Sequence, residues 1–234
     1  DYEPDASEWT LDAAKSDGFD SWNEDLWTAE ENVSSSKGKL IMAADVEDEQ
    51  YTGGKLRSNF EIGADVYIKV RVRSSNALAN LKVSVVLGEE IAIMESIPGM
   101  QTAFASSLNP SGTNTLDAKN TDAGAELNAD YHVYALERRK EFLRFYFDGH
   151  VVWEYGLSAH PELGTKALPV VLRLEKVAGV KPDDSKLPVY LMIDYVKTYN
   201  AVHSGPFAPL YGENVIANPG FESAVGDDRP EGWT

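Results

Sequence analysis

The residues best equipped for chemistry lie in one short run, Gly88-Glu-Glu-Ile-Ala-Ile-Met-Glu-Ser96. In an extended strand residues i, i+2 and i+4 share a face, so Glu90, Ala92 and Met94 align while Glu95 points the other way. One inserted residue changes this. A β-bulge between Ala92 and Glu95 returns Glu95 to the face of Glu90, and two carboxylates then flank one point. A pair about 5–5.5 Å apart suits retaining glycoside hydrolysis, with one carboxylate as nucleophile and the other as general acid and then base. Two glutamates at this spacing equally suit a solvated strand edge, and the spacing alone leaves both readings open. Competing chemistries find no foothold. The chain has no Gly-x-Ser-x-Gly elbow, phosphate loop or dinucleotide fingerprint. Its four histidines, at 132, 150, 160 and 203, lack the paired helical spacing of a zinc site. With no cysteine at all, thiolate catalysis, disulfides and Cys-ligated metals are excluded.

The elements that must position this run read as strands throughout. Lys39–Ala43, Val66–Val72, Leu81–Leu87 and Phe142–Phe147 are short, β-branched or aromatic, and several alternate apolar with polar. Turn signals separate them at Ser36-Lys-Gly38, Thr52-Gly-Gly54, Asn109-Pro-Ser-Gly112 and Asp148-Gly149, the last a hairpin marker between two apolar runs. Only Ala135–Glu141 has a helical look, and Tyr131-His-Val-Tyr134 beside it argues for strand. Many close-spaced strands in 234 residues predict an all-β, two-sheet antiparallel sandwich over residues 1–200. A Pro- and Gly-rich linker over 201–213 and a C-terminal segment over 214–234 follow. No apolar run reaches the roughly 20 residues of a membrane span. Twenty-one Lys and Arg against 38 Asp and Glu give a net charge of −17, which disfavours nucleic acid as a partner. A chain beginning at Asp1 without a basic and apolar leader is read as a processed or trimmed form.

Glu90-Ile-Ala-Ile-Met-Glu95 resembles the glycoside hydrolase family 16 signature Glu-Ile-Asp-Ile-Met-Glu, matching five of its six residues. The similarity is collinear over roughly residues 15–200. Asn32–Met42 and Tyr51–Phe60 resemble two of the family's early strands, the second being its Tyr-Thr-x-Gly-x-Ile-Arg-Ser. Tyr131–Glu137 with Phe142–Val152 resembles a later hairpin, and Leu191–Tyr199 the closing Asp-Tyr-Val-Arg-Val-Tyr strand. The resemblance implies a concanavalin A-like jelly roll and a retaining endo-glycosidase with Glu90 as nucleophile and Glu95 as acid/base. It also implies a polysaccharide as partner, no required cofactor, a monomer, and secretion to the outside or surface of a bacterium. Leu172-Arg-Leu-Glu-Lys176 is closer to the agarase, porphyranase and κ-carrageenase branch, which implies β-linked algal galactans as substrate and a sugar contact for Glu175; Arg57 and Arg173 offer positive charge for sugar binding, or equally solvated strand faces. Asn214–Ser223 is similar to the opening strand of carbohydrate-binding modules.

Departures from the pattern surround the same site. Ala92 stands where the family has an aspartate that assists the nucleophile, Leu81–Val86 replaces a tryptophan-bearing strand, and Gln101–Ala105 lacks a histidine common there. None of the five tryptophans lies between 28 and 152, and Trp9, Trp22 and Trp27 are expected to pack near the N-terminal strands. A second reading therefore stands beside the enzyme: a glycan-binding protein of weak or absent activity on the same scaffold, or an enzyme inactivated at Ala92. The family also implies a structural calcium at Asp194, with Asp17 or Asp20 as its N-terminal partner.

Overall fold

The computed structural model describes residues 2–48, 50–75 and 78–203, and the backbone of 224–225 and 229–230. Residues 1–202 form one unit and residues 203–234 a second. In the second, the described backbone is an antiparallel pair of Ala224–Val225 with Arg229–Pro230; the remainder of the linker and of the segment read as the start of a binding module lies outside the described residues.

The first unit is the two-sheet sandwich that the strand pattern predicts. Sheet A runs in spatial order β15 (His150–Gly156), β14 (Phe142–Phe147), β13 (His132–Arg138), β8 (Val66–Ser74), β17 (Val189–Ala201), β4 (Leu40–Ala44) and β3 (Val33–Ser35), and β1 (Trp9–Leu11) also pairs with β17. Sheet B runs β12 (Asp117–Asp122), β11 (Ala103–Leu108), β10 (Ile91–Ser96), β9 (Lys82–Leu87), β16 (Leu168–Glu175), β7 (Gly54–Ile62) and β2 (Trp27–Glu31). A small hairpin, β5 (Val46–Glu47) with β6 (Gln50–Tyr51), a four-residue helix, α1 (Glu162–Thr165), and 3-10 turns at Ala13–Lys15 and Asp184–Lys186 accompany the sheets. No described helix is long and apolar enough to cross a membrane.

Local sequence accounts for much of this. Leu40, Met42 and Ala44 alternate inward along β4, and Leu143, Phe145 and Phe147 do so along β14. Asp148 and Gly149 both hold positive φ, 46° and 79°, the two-residue turn whose twist matches its strands. Residues 135–138, read as ambiguous, lie within β13, where edge-to-edge pairing with β8 and β14 outweighs helix propensity.

β8 departs from simple alternation because both of its faces are covered. Outward-facing Tyr67 and Lys69 lie under the N-terminal segment, where Trp9, Tyr67 and Tyr199 form an aromatic cluster apart from the main core. Trp9 and Trp27 are buried as expected, whereas Trp22 is 40% exposed and belongs to no packed layer. Lys69 is fully buried, donates to the Tyr2 carbonyl at 2.9 Å and pairs with Glu3 at 2.8 Å. Burial alone would raise the Glu3 pKa, but hydrogen bonds from Lys69, Tyr199 and Lys197 outweigh it and bring the value from 4.5 down to about 2. A depressed carboxylate stabilises the fold fully above its unfolded pKa and loses that contribution as pH falls through the folded one. Half of the Glu3 side chain is in water, so screening reduces the contribution to about 1 kcal/mol. Between pH 4.5 and about 2, the melting temperature should therefore fall roughly 2–4 °C more in the wild type than in Glu3→Gln, read by circular dichroism.

Candidate active site on sheet B

The β9–β10 hairpin carries both glutamates. Leu87 pairs with Ile91, so Gly88, Glu89 and Glu90 form the turn, and Glu90 sits just before β10 rather than within it. Gly88 has φ +59°, and a Cβ there would meet the Glu90 carboxylate and the Leu168 side chain, so glycine is favoured. Beyond the turn the register slips. Ala92 pairs with Ser107 and Glu95 with Ala105, leaving Ile93 and Met94 opposite Ser106 alone. This bulge turns both Ile93 and Met94 into the core and brings Glu95 out on the face of Ala92.

On that outer face Ala92, Val86 and Val171 stand side by side on adjacent strands, an apolar cluster separate from the core. Glu95 is oriented by three donors: Lys82 Nζ at 3.0 Å and Ser84 Oγ at 3.5 Å on Oε1, and Ser107 Oγ at 3.4 Å on Oε2. Glu90, 8% exposed, accepts the Glu89 backbone N–H at 2.9 Å and pairs with Lys166. Lys166 is placed by Arg138, a buried guanidinium that donates to the carbonyls of Ile62, Gly63, Leu163 and Lys166 at 2.6–3.0 Å. Burial pushes the Arg138 pKa down to about 10, and the Glu90 charge opposes that drop.

A groove of about 350 Å³ crosses the face, lined among others by Lys55, Arg57, Glu89, Glu90, Lys166 and Arg173. Glu95 is not part of its lining, so the two glutamates share a face but not this groove. A second hollow of about 200 Å³ continues past Lys55 and Arg173 to Tyr51, Glu175 and Lys176. Of the residues assigned to sugar binding, Glu175 lies 3.8 Å from Lys82, Arg173 is bound to Glu89, and Arg57 is exposed on β7. Trp153 stacks on Phe145 of sheet A, so it supplies no aromatic floor to this face. Sequence reasoning missed Lys82, Glu89, Arg138 and Lys166. Lys82 was readable, because Lys82, Ser84 and Val86 alternate onto one face of β9, but Arg138 and Lys166 reach the site from segments remote in the chain.

No family model matches the chain and no curated protein does. Solved structures do match. The chain superposes on an endo-β-1,3-glucanase from Pyrococcus furiosus with a TM-score of 0.72 at 19% identity, covering 86% of this chain and 98% of that one. It superposes on a laminarinase catalytic domain from Thermotoga maritima with a TM-score of 0.71 at 18% identity, covering 84% and 100%. A structure from work on endo-acting O-glycanases of the human gut microbiota that initiate mucin breakdown matches with a TM-score of 0.67 at 17% identity, covering 78% and 97%. The shared feature is the concanavalin A-like jelly roll.

At Asp194, where the resemblance implies calcium, the nearest charged groups are cations. Asp194 occupies a bulge of β17, between Lys39 beside β4 and Arg71 on β8, and both cations pair with it. Tyr131 lies beneath both, its ring 4.9 Å from Lys39 Nζ and 4.5 Å from the Arg71 guanidinium. Burial opposes ionisation, but the two cations hold the Asp194 carboxyl below its usual range. Asp17 is likewise committed, accepting from the Phe19 N–H at 2.7 Å and the Trp27 indole at 3.0 Å. Calcium takes 6–8 oxygen ligands, and among the described residues no group of three or more acidic or histidine side chains comes together to hold a metal. Asp194 and Asp17 are thus each held by protein donors, and Asp20, the other expected partner, is exposed. Excess EDTA or calcium should accordingly leave the melting temperature within about 1 °C, whereas Lys39→Ala should lower it by roughly 2–4 °C, a loss of about 1 kcal/mol.

Proposed function

We propose that this chain is an endo-acting retaining glycosidase on β-linked polysaccharide, acting as a secreted or cell-surface monomer, with Glu90 as nucleophile and Glu95 as acid/base. The observation that carries the reading is the bulge at Ile93 and Met94, which breaks a ladder in the middle of a sheet and brings Glu95 to the face of Glu90. Bulges of this kind re-aim side chains at functional sites. In the proposed cycle Glu90 attacks the anomeric carbon while Glu95 gives a proton to the leaving oxygen; Glu95 then takes a proton from the water that releases the sugar. Two substrate classes have support. Enzymes of the same fold include laminarinases, which favours β-glucans; the likeness of Leu172–Lys176 to the agarase branch favours β-galactans.

A second reading, a glycan-binding protein, is favoured by the ion pairs. Lys82 on Glu95 and Lys166 on Glu90 already neutralise both carboxylates, and Ala92 offers the nucleophile no hydrogen bond. A reducing-end assay on laminarin, mixed-linkage glucan, agarose, porphyran and carrageenan separates the readings. The enzyme releases sugar, and Glu90→Gln or Glu95→Gln abolishes release; a binder is retarded by one of these polymers in affinity electrophoresis and releases nothing. Ala92→Asp places a carboxyl beside the nucleophile and should raise the rate at least about tenfold, the low side of what positioned acid/base assistance supplies. An unchanged rate in folded Ala92→Asp would show that the missing aromatic floor, or a binding role altogether, governs the site.

A further inference from the structure

Val86, Ala92 and Val171 face away from the core, yet they are only 5%, 3% and 3% exposed. Their covering follows from strand register. Arg173 lies two residues beyond Val171 on β16, opposite Ser84 of β9, whereas Glu89 lies beyond the other end of β9, three residues after Val86. A line from Arg173 to Glu89 therefore passes diagonally over Val171 and Val86. The two side chains span that line in a two-point bond, Nη1 to Oε2 at 3.1 Å and Nη2 to Oε1. Arg173 is well covered, at 16% side-chain exposure, and Glu89 is 59% exposed. Its flanks are closed as well, because Lys166 holds Glu90 on one side and Lys82 holds Glu95 on the other.

We propose that the Glu89–Arg173 ion pair is a bar across the outer face of sheet B between Glu90 and Glu95, and that a polysaccharide must displace it to reach the small apolar patch beneath. The inference rests on the carbohydrate reading given above. A pair with one partner largely in water is held weakly, so the contacts of a bound sugar suffice to open it. Opening uncovers Val171 and Val86, with Ala92 beside them, for the C–H face of a ring and frees a guanidinium whose planar donors suit sugar hydroxyls or an anionic substituent. Glu89 thus acts against binding, and its removal should help.

Affinity electrophoresis through gels containing laminarin or agarose, with wild type, Glu89→Ala and Glu89→Gln, tests this. Because Glu89 is exposed in a turn, both variants should keep the wild-type melting curve. Both should bind the retarding polymer about twofold to fivefold more tightly at low salt. Added sodium chloride should narrow the gap, because screening loosens the bar in the wild type. Equal affinity of wild type and variants would overturn the bar and leave the carbohydrate reading intact. Weaker binding by the variants would overturn it too, by making Glu89 a sugar contact. Absence of binding and of sugar release in all three would overturn the carbohydrate reading and the bar together.

Discussion

One inserted residue governs the chemistry of sheet B. Without the bulge at Ile93 and Met94, strict alternation would leave Glu95 facing the core, among Phe104, Leu172 and their neighbours. A carboxylate there would be desolvated without partners, a cost of several kcal/mol. With the bulge, two apolar side chains enter the core in succession, and the carboxylate reaches the serines and lysine that orient it. Core packing and site geometry are therefore settled by the same irregularity: Ile93 and Met94 hold the bulge in place because both are buried.

The outer face so created is charged but largely paired with itself. Lys55 with Glu30, Lys82 with Glu95, Lys166 with Glu90, and Arg173 with Glu89 neutralise one another across strands. This pairing lets a protein of net charge −17 carry a cluster of glutamates on one face without strong repulsion. It also separates this face from a site built around an aspartate and an aromatic floor, because lysines hold the carboxylates and small aliphatic side chains form the base. Asp194, on the other sheet, follows the same logic, paired with a side-chain ammonium and a guanidinium.

The sequence made the sandwich legible because alternation, β-branched runs and an Asp-Gly turn are local signals, and β4, β8, β9 and β14 stand within a residue or two of where those signals put them. The bulge leaves no local mark; the spacing of Glu90 and Glu95 poses it only as the condition for the two to share a face. What stayed hidden was pairing at long range. Lys39 and Arg71 meet at Asp194 only because β4 and β8 flank β17, and strand order is a property of the whole topology. The same holds for Lys166 and Glu90, which lie 76 positions apart. Glu90 itself was expected in a strand and lies in a turn, because the hairpin closes with three residues between Leu87 and Ile91.

Arg138 has a mechanical consequence. Its single guanidinium ties the carbonyls of Ile62 and Gly63, at the end of β7, to those of Leu163 and Lys166, around α1. Two surface connections that are distant in the chain are thereby riveted to a buried strand of the opposite sheet. Neither can swing alone: a displacement of the 163–166 segment would strand charged donors in a region with little water, so both connections belong to one cooperative unit. The wall of the groove that carries Lys166 is accordingly tied to the sandwich interior, and any change in the groove's shape falls to the opposite rim and to the long side chains that line it.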